Sequence, residues 1–168
     1  SLQTISNINY LIKNNIDVDL IFPLREATST DEWKHLKDFY SIKYNFNVRG
    51  LSHNLPFGKY NFFNRLFFHI SHLSWSYQSV NYVREKLNSF DAFITRSDWI
   101  LYFLSKQNFD VLFECHQLTK LRRIILKHVL KKNNVKVICL NQSIYEEIKS
   151  FVKYNNQILV LHNGFDSE

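Results

Sequence analysis

Glycine is scarce in this 168-residue chain: only Gly50, Gly58 and Gly164 occur. A phosphate-binding loop needs several glycines so that backbone can approach the ligand. The shortage argues against a dinucleotide or nucleoside triphosphate held by the usual loops. Methionine is absent, the initiator included, which reads as a sequence that begins inside a longer protein. There are two cysteines, Cys115 and Cys139, both falling at expected strands. They read as reduced core thiols, a usage that fits the cytoplasm, where disulfides are rare. No cysteine–histidine spacing resembles a zinc site. No apolar stretch reaches the roughly 18 residues needed to span a bilayer. No basic, apolar, small-residue order marks the N-terminus as a signal peptide.

What remains is a folding composition. Hydrophobic residues make up 45% and charged residues 21%, which excludes a disordered chain. The length suits one domain, residues 1–168, with one sizeable core. The formal net charge is +6 and the pI about 9.3. Anionic membrane surfaces and nucleic acid are the usual partners of such a balance. Nucleic acid is set aside, because no helix-turn-helix, zinc or aromatic-platform motif accompanies the charge.

The second half has a rhythm. Short apolar runs recur at Ala92–Ile94, Val111–Phe113, Val135–Leu140 and Ile158–Leu161. Each ends in a polar cluster: Thr95 to Asp98, Glu114 to Gln117, Asn141 to Ser143, and His162 to Gly164. Helical patterns separate them, at Asp98–Lys106, Thr119–Lys132 and Gln142–Tyr154. This alternation predicts parallel strands joined by helices. Ligands of such sheets bind beyond the carboxyl ends of the strands. Ser97 and Ser143 are expected N-caps, with Glu146 completing a capping box.

The first half is less regular. Ile5, Ile8, Leu11 and Ile12 share one face of an expected helix, Gln3–Asn14, closed by Asn15. Val18–Phe22 reads as a strand stopped by Pro23. Asp31–Tyr40 reads as a helix capped by Thr30 or Ser29, and Asn45–Leu51 as a strand. Tyr60–Leu87 is a long helical region, dense in aromatics, with a break expected near His69–Ser74. It reads either as a helix pair packed on the sheet or as a partly exposed aromatic face for lipid or a partner.

Several clusters can carry chemistry. Glu114 and His116 lie two residues apart at a strand end, so they point to the same side. A carboxylate can orient an imidazole for proton transfer or hydroxyl binding; equally, both can bond to neighbouring loops. Arg96 can clamp a phosphate or carboxylate, or pair with Asp91, Asp98 or Glu114. Lys120, Arg122, Arg123, Lys127, Lys131 and Lys132 give one helix a basic face beside an apolar stripe. That face is either solvated or docked on an anionic membrane. Asn163-Gly164 after the last strand is a turn signal.

In their order these pieces resemble the N-terminal domain of family 4-like glycosyltransferases of the GT-B fold. The resemblance rests on Asp91–Arg96, Val111–His116, Val137–Ser143 and Ile158–Asp166, and Thr4–Pro23 looks like the family's first helix and second strand. It implies an α/β, Rossmann-like three-layer sandwich with a mostly parallel sheet, the N-terminal half of a GT-B enzyme. The family's first strand and glycine-containing loop are missing, as is the C-terminal domain that holds the donor through paired glutamates. A parallel sheet without that strand leaves unpaired backbone groups, so either the sequence is truncated or something else fills the gap, and the fragment alone is expected to be inactive.

The implied activity is a retaining glycosyltransferase, moving a sugar from a nucleotide-sugar donor to a glycan or lipid-linked acceptor. The donor is a substrate; no cofactor and no metal are implied. By resemblance His116 lines the cleft near the transferred sugar or acceptor hydroxyl, with Glu114 orienting it. Arg96, Asn141 and Ser143 shape the acceptor side, and Asn163 and Gly164 sit at the interdomain hinge. The implied place is the cytoplasm, or the inner face of its membrane. The rival is a non-catalytic Rossmann-like binding module, docking to an anionic membrane or a partner protein.

Overall fold

Asn15 closes the first helix in the left-handed backbone region, at φ 61°, a conformation that asparagine tolerates and most residues avoid. The architecture around it comes from a computed structural model that describes residues 2–25, 29–53, 64–86, 92–152 and 157–161. The chain divides into two compact units, Ser1–Trp75 and Ser76–Glu168. The fold class is α/β with parallel sheets, Rossmann-like in kind.

The first unit holds α1 (Leu2–Lys13), β1 (Asp19–Leu24), α2 (Trp33–Tyr40) and β2 (Asn47–Ser52). β1 and β2 pair in parallel, from Asp19 opposite Asn47 to Leu24 opposite Ser52. Ile5, Ile8 and Ile42 form the buried centre, with Trp33 edge-on to Phe46 beside them. Pro23 does not stop β1, which runs on to Leu24. Proline lacks a ladder donor but is tolerated on an edge strand, and among the described residues β1 pairs with β2 alone. α2 starts later than expected and without a side-chain cap. The Thr30 hydroxyl is occupied in a turn, accepting from the Glu32 N–H at 3.0 Å. Asp31 accepts instead from the Gly50 N–H at 3.0 Å. Gly50 is needed for close packing, since a Cβ there would meet Leu24 Cδ2 at 2.6 Å.

α3 (Asn64–Lys86) is one unbroken helix of 23 residues, so the break expected near His69–Ser74 does not occur. Its buried residues, Ser71, Trp75, Ser76, Ser79, Val80 and Val83, follow one another at helical spacing. Serines on that face hid the periodicity, because small polar side chains do not register as apolar. Leu66, Ile70, Leu73 and Tyr77 form an exposed stripe.

His72, in the first unit, has an unusual proton affinity. Burial, then the nearby Arg25, His53 and His69, push it from its ordinary 6.5 down to about 4. The unfolded chain therefore takes up a proton near pH 6.5 that the fold resists. Stability from this ring is complete above pH 6.5 and is lost as pH falls towards 4. Allowing for solvent screening of a half-buried ring, the expected loss at pH 5 is about 1 kcal/mol. Thermal melts between pH 7.5 and 4.5 should show it, and His72→Phe should flatten that limb.

The second unit holds β3 (Phe93–Thr95), α4 (Asp98–Lys106), β4 (Val111–Cys115), α5 (Lys120–Val129), β5 (Val135–Cys139), α6 (Gln142–Lys149) and β6 (Ile158–Val160). The four strands pair in parallel in chain order. One sheet face is sealed: Val111, Phe113, Cys115, Val135, Val137 and Cys139 are buried against Leu101 and Leu104 of α4, Ile125, Leu126 and Val129 of α5, and Ile144 and Ile148 of α6. The other face leaves Ile94 and Leu159 about half exposed. Ser97 caps α4 as expected, accepting from the Ile100 N–H. Ser143 does not cap α6. Asn141 does, its Oδ1 accepting from the Ile144 N–H at 2.9 Å. Glu146 accepts from the Gln142 side chain rather than closing a capping box.

Candidate functional site

Parallel register builds the site. Thr95 lies opposite Phe113, so the next residues along, Arg96 and Glu114, arrive side by side. Thr95 Oγ1 accepts from the Ser97 N–H at 3.1 Å, which fixes the turn carrying Arg96. Arg96 Nε donates to Glu114 Oε2 at 2.5 Å. His116 Nε2 lies 3.4 Å from the same oxygen. Of the alternatives for Arg96, the partner is Glu114, and the expected common side of Glu114 and His116 is observed.

Depth differs within the trio. The Glu114 side chain is 12% exposed, against 33% for Arg96 and 32% for His116. The carboxylate sits lower, and the two bases stand at the rim. A proton on His116 Nε2, directed at Glu114, leaves Nδ1 as an acceptor for a substrate hydroxyl. The guanidinium is permanently charged, and its remaining N–H groups can take an anionic or hydroxyl oxygen.

Arg122 underpins this arrangement, in contrast to the solvated or membrane-docked face expected for its helix. It is 9% exposed and does not belong to a solvated basic face. Its Nε donates to Asp98 Oδ1 at 2.5 Å, Nη1 to the Gln117 carbonyl at 2.6 Å and Nη2 to the Arg96 carbonyl at 3.5 Å. Its guanidinium carbon lies 5.2 Å from the centre of the Phe113 ring. One side chain thus joins the turn after β3 to the turn after β4. A signal was present, since Arg122 stands three, four and seven residues before the buried Ile125, Leu126 and Val129.

The other basic residues of that helix also divide. Arg123 pairs with Glu147, and Lys132 Nζ donates to the Ser105 carbonyl at 2.6 Å. Lys120, Lys127 and Lys131 are exposed, with Ile124 exposed between them. Asn141 is engaged in capping, and Ser143 is exposed in the first turn of α6. Neither hydrogen-bonds to the trio among the described residues. Asn163 and Gly164 lie outside the described residues.

Cys115 and Cys139 are free, buried and opposite each other in the ladder. Burial raises the proton affinity of both, and with Cys115 nearby Cys139 is pushed up to about 12. Neither is a nucleophile at neutral pH; both are core. Among the described residues no group of His, Cys, Asp and Glu is set to hold a metal ion, and no helix is long and apolar enough to cross a membrane.

The sequence matches no known protein-family model, and no curated protein matches it significantly.

Proposed function

We propose that this chain is the acceptor-side domain of a retaining glycosyltransferase. The enzyme moves a sugar from a nucleotide-sugar donor to a hydroxyl of a glycan or lipid-linked acceptor. The carrying observation is the convergence of Arg96, Glu114 and His116 at the carboxyl ends of adjacent parallel strands, where α/β sheets bind their ligands. The resemblance of the strand-end motifs to family 4-like glycosyltransferases supports the same reading. His116 Nδ1 receives the acceptor hydroxyl, and Glu114 holds the ring in the tautomer that makes this possible. Arg96 anchors Glu114 and offers its outer N–H groups to the acceptor. By the same resemblance, Asn141 and Ser143 are assigned to the acceptor side, and Asn163 and Gly164 to the interdomain hinge.

The test uses the natural full-length protein. Supplied with a panel of nucleotide sugars and lipid-linked or glycan acceptors, it should release nucleotide and give a product of unchanged anomeric configuration by NMR. Absence of nucleotide release with every pair, or an inverted product, would count against the reading.

A second reading has its own observation. Lys120, Ile124, Lys127 and Lys131 are exposed at helical spacing on and just beyond α5, which suits a non-catalytic module docking to an anionic membrane at about 1 kcal/mol per basic residue. Vesicle flotation that needs anionic lipid and fades with salt, joined to absence of turnover, would favour it.

A further inference from the structure

The first unit carries its own cluster at the carboxyl end of its sheet. β1 and β2 end together, Leu24 opposite Ser52. The His53 N–H continues the ladder, donating to the Leu24 carbonyl at 3.2 Å. Arg25 and His53 are thus neighbours just past the strand ends. α3 is anchored at the same place, because Trp75 Nε1 donates to the Leu51 carbonyl at 3.2 Å. The Trp75 ring lies parallel to that of His53, centroids 6.4 Å apart and planes 6° apart. The His72 ring centre lies 6.4 Å from that of His53, and the ring packs on Phe68 with centroids 4.3 Å apart. His69 precedes His72 by three residues on the helix, so the two share a face.

We propose that Arg25, His53, His69 and His72 form a binding site for a phosphoryl group, a phosphomonoester or a diphosphate. The inference stands on this cluster alone and does not depend on the glycosyltransferase reading. Three considerations favour an anion. The site lies beyond the carboxyl ends of parallel strands, where α/β sheets bind ligands. A guanidinium fork matches two phosphate oxygens at once. The charges that bear on His72 are those of Arg25, His53 and His69, all positive when protonated; an arriving dianion relieves their mutual repulsion. A metal ion is disfavoured, both by the permanent charge of Arg25 and because no metal-holding group is found among the described residues.

The residues divide the work. Arg25, exposed at the mouth, takes the phosphoryl oxygens as a fork. His53 and His69 supply further ring N–H donors to the anion. His72, against Phe68, forms the apolar back of the site and donates as a neutral ring.

The consequence is affinity that strengthens as histidines become protonated. With inorganic pyrophosphate as probe, NMR of the histidine ring protons should show saturable shifts at His53 and His69. Affinity at pH 6 should exceed that at pH 8 by about tenfold, the effect of one added charged hydrogen bond. Arg25→Gln should weaken binding by about tenfold or more. Ring resonances unmoved at millimolar pyrophosphate, or equal affinity at both pH values, would overturn the proposal. So would unchanged affinity in a folded Arg25→Gln variant. The wild-type titration decides the matter even where that variant does not fold. A parallel arm uses phosphatidylcholine vesicles with and without phosphatidic acid. Vesicle binding displaced by pyrophosphate makes the phosphoryl group a lipid headgroup. Pyrophosphate binding without vesicle binding makes it a soluble phosphate. Vesicle binding that pyrophosphate cannot displace counts against the site.

Discussion

Replacing Arg122 with methionine is expected to lower the stability of the Ser76–Glu168 unit by about 3 kcal/mol, because it strands a half-buried carboxylate. Methionine keeps much of the length and apolar body, so packing over Phe113 is largely retained. What is lost is the guanidinium, which reaches Asp98 and the carbonyls of Gln117 and Arg96. The Asp98 side chain is only 17% exposed, so water cannot fully replace the missing donor. Asp98 also stands in the first turn of α4, where the helix N-terminus returns some of the lost stabilisation; hence about 3 rather than 5 kcal/mol. Urea unfolding followed by far-UV circular dichroism measures the change. Adding Asp98→Asn to Arg122→Met should recover part of it, since the neutral amide removes the unpaired charge. A double variant that adds the full cost of both changes would show that the two side chains do not act together. Arg122→Lys should fall between, keeping the charge but losing the fork that spans two turns.

That side chain also shows what could be read in advance and what could not. The strands and helices of the second unit were legible because apolar runs alternate with helical patterns, and α4 occupies Asp98–Lys106 as expected. Arg96, Glu114 and His116 were legible because two-residue periodicity and strand ends place them. Their common contact at Glu114 Oε2 was not, since it depends on β3 and β4 being neighbours in a given register. The burial of Arg122 was not legible from its charge, which favours exposure, although a paired arginine can occupy a buried position. Asn141 displaced Ser143 as the cap because both are good caps, and strand length decides which one reaches the helix end. The unbroken α3 was missed because serines on a buried face look like a loop. The cluster around His53 was invisible, because its members come from β1, β2 and α3, and only pairing brings them together.

On the proposed glycosyltransferase reading, His116→Ala is expected to reduce kcat of the full-length protein by about 10²–10⁴-fold, the range for loss of a positioned acid–base group. KM should move little, because an imidazole that handles the hydroxyl proton contributes mainly in the transition state. Glu114→Gln tests the residue beneath it. The amide keeps the shape but loses the charge that faces both His116 Nε2 and Arg96. With the ring free to choose either tautomer and Arg96 released, kcat should fall by about 10²-fold. The trio meets at one oxygen, so its members should behave as a unit. The double variant Glu114→Gln/His116→Ala should then be no slower than His116→Ala alone. Multiplied losses would mean that Glu114 works on substrate independently, through Arg96 rather than through the imidazole. Unchanged turnover in His116→Ala would remove the histidine from the mechanism. Arg96→Lys separates those routes: it keeps a charge beside Glu114 but cannot donate through Nε and the outer nitrogens together. If Arg96 only anchors the carboxylate, lysine should preserve most of kcat; if it also grips the acceptor, KM should rise.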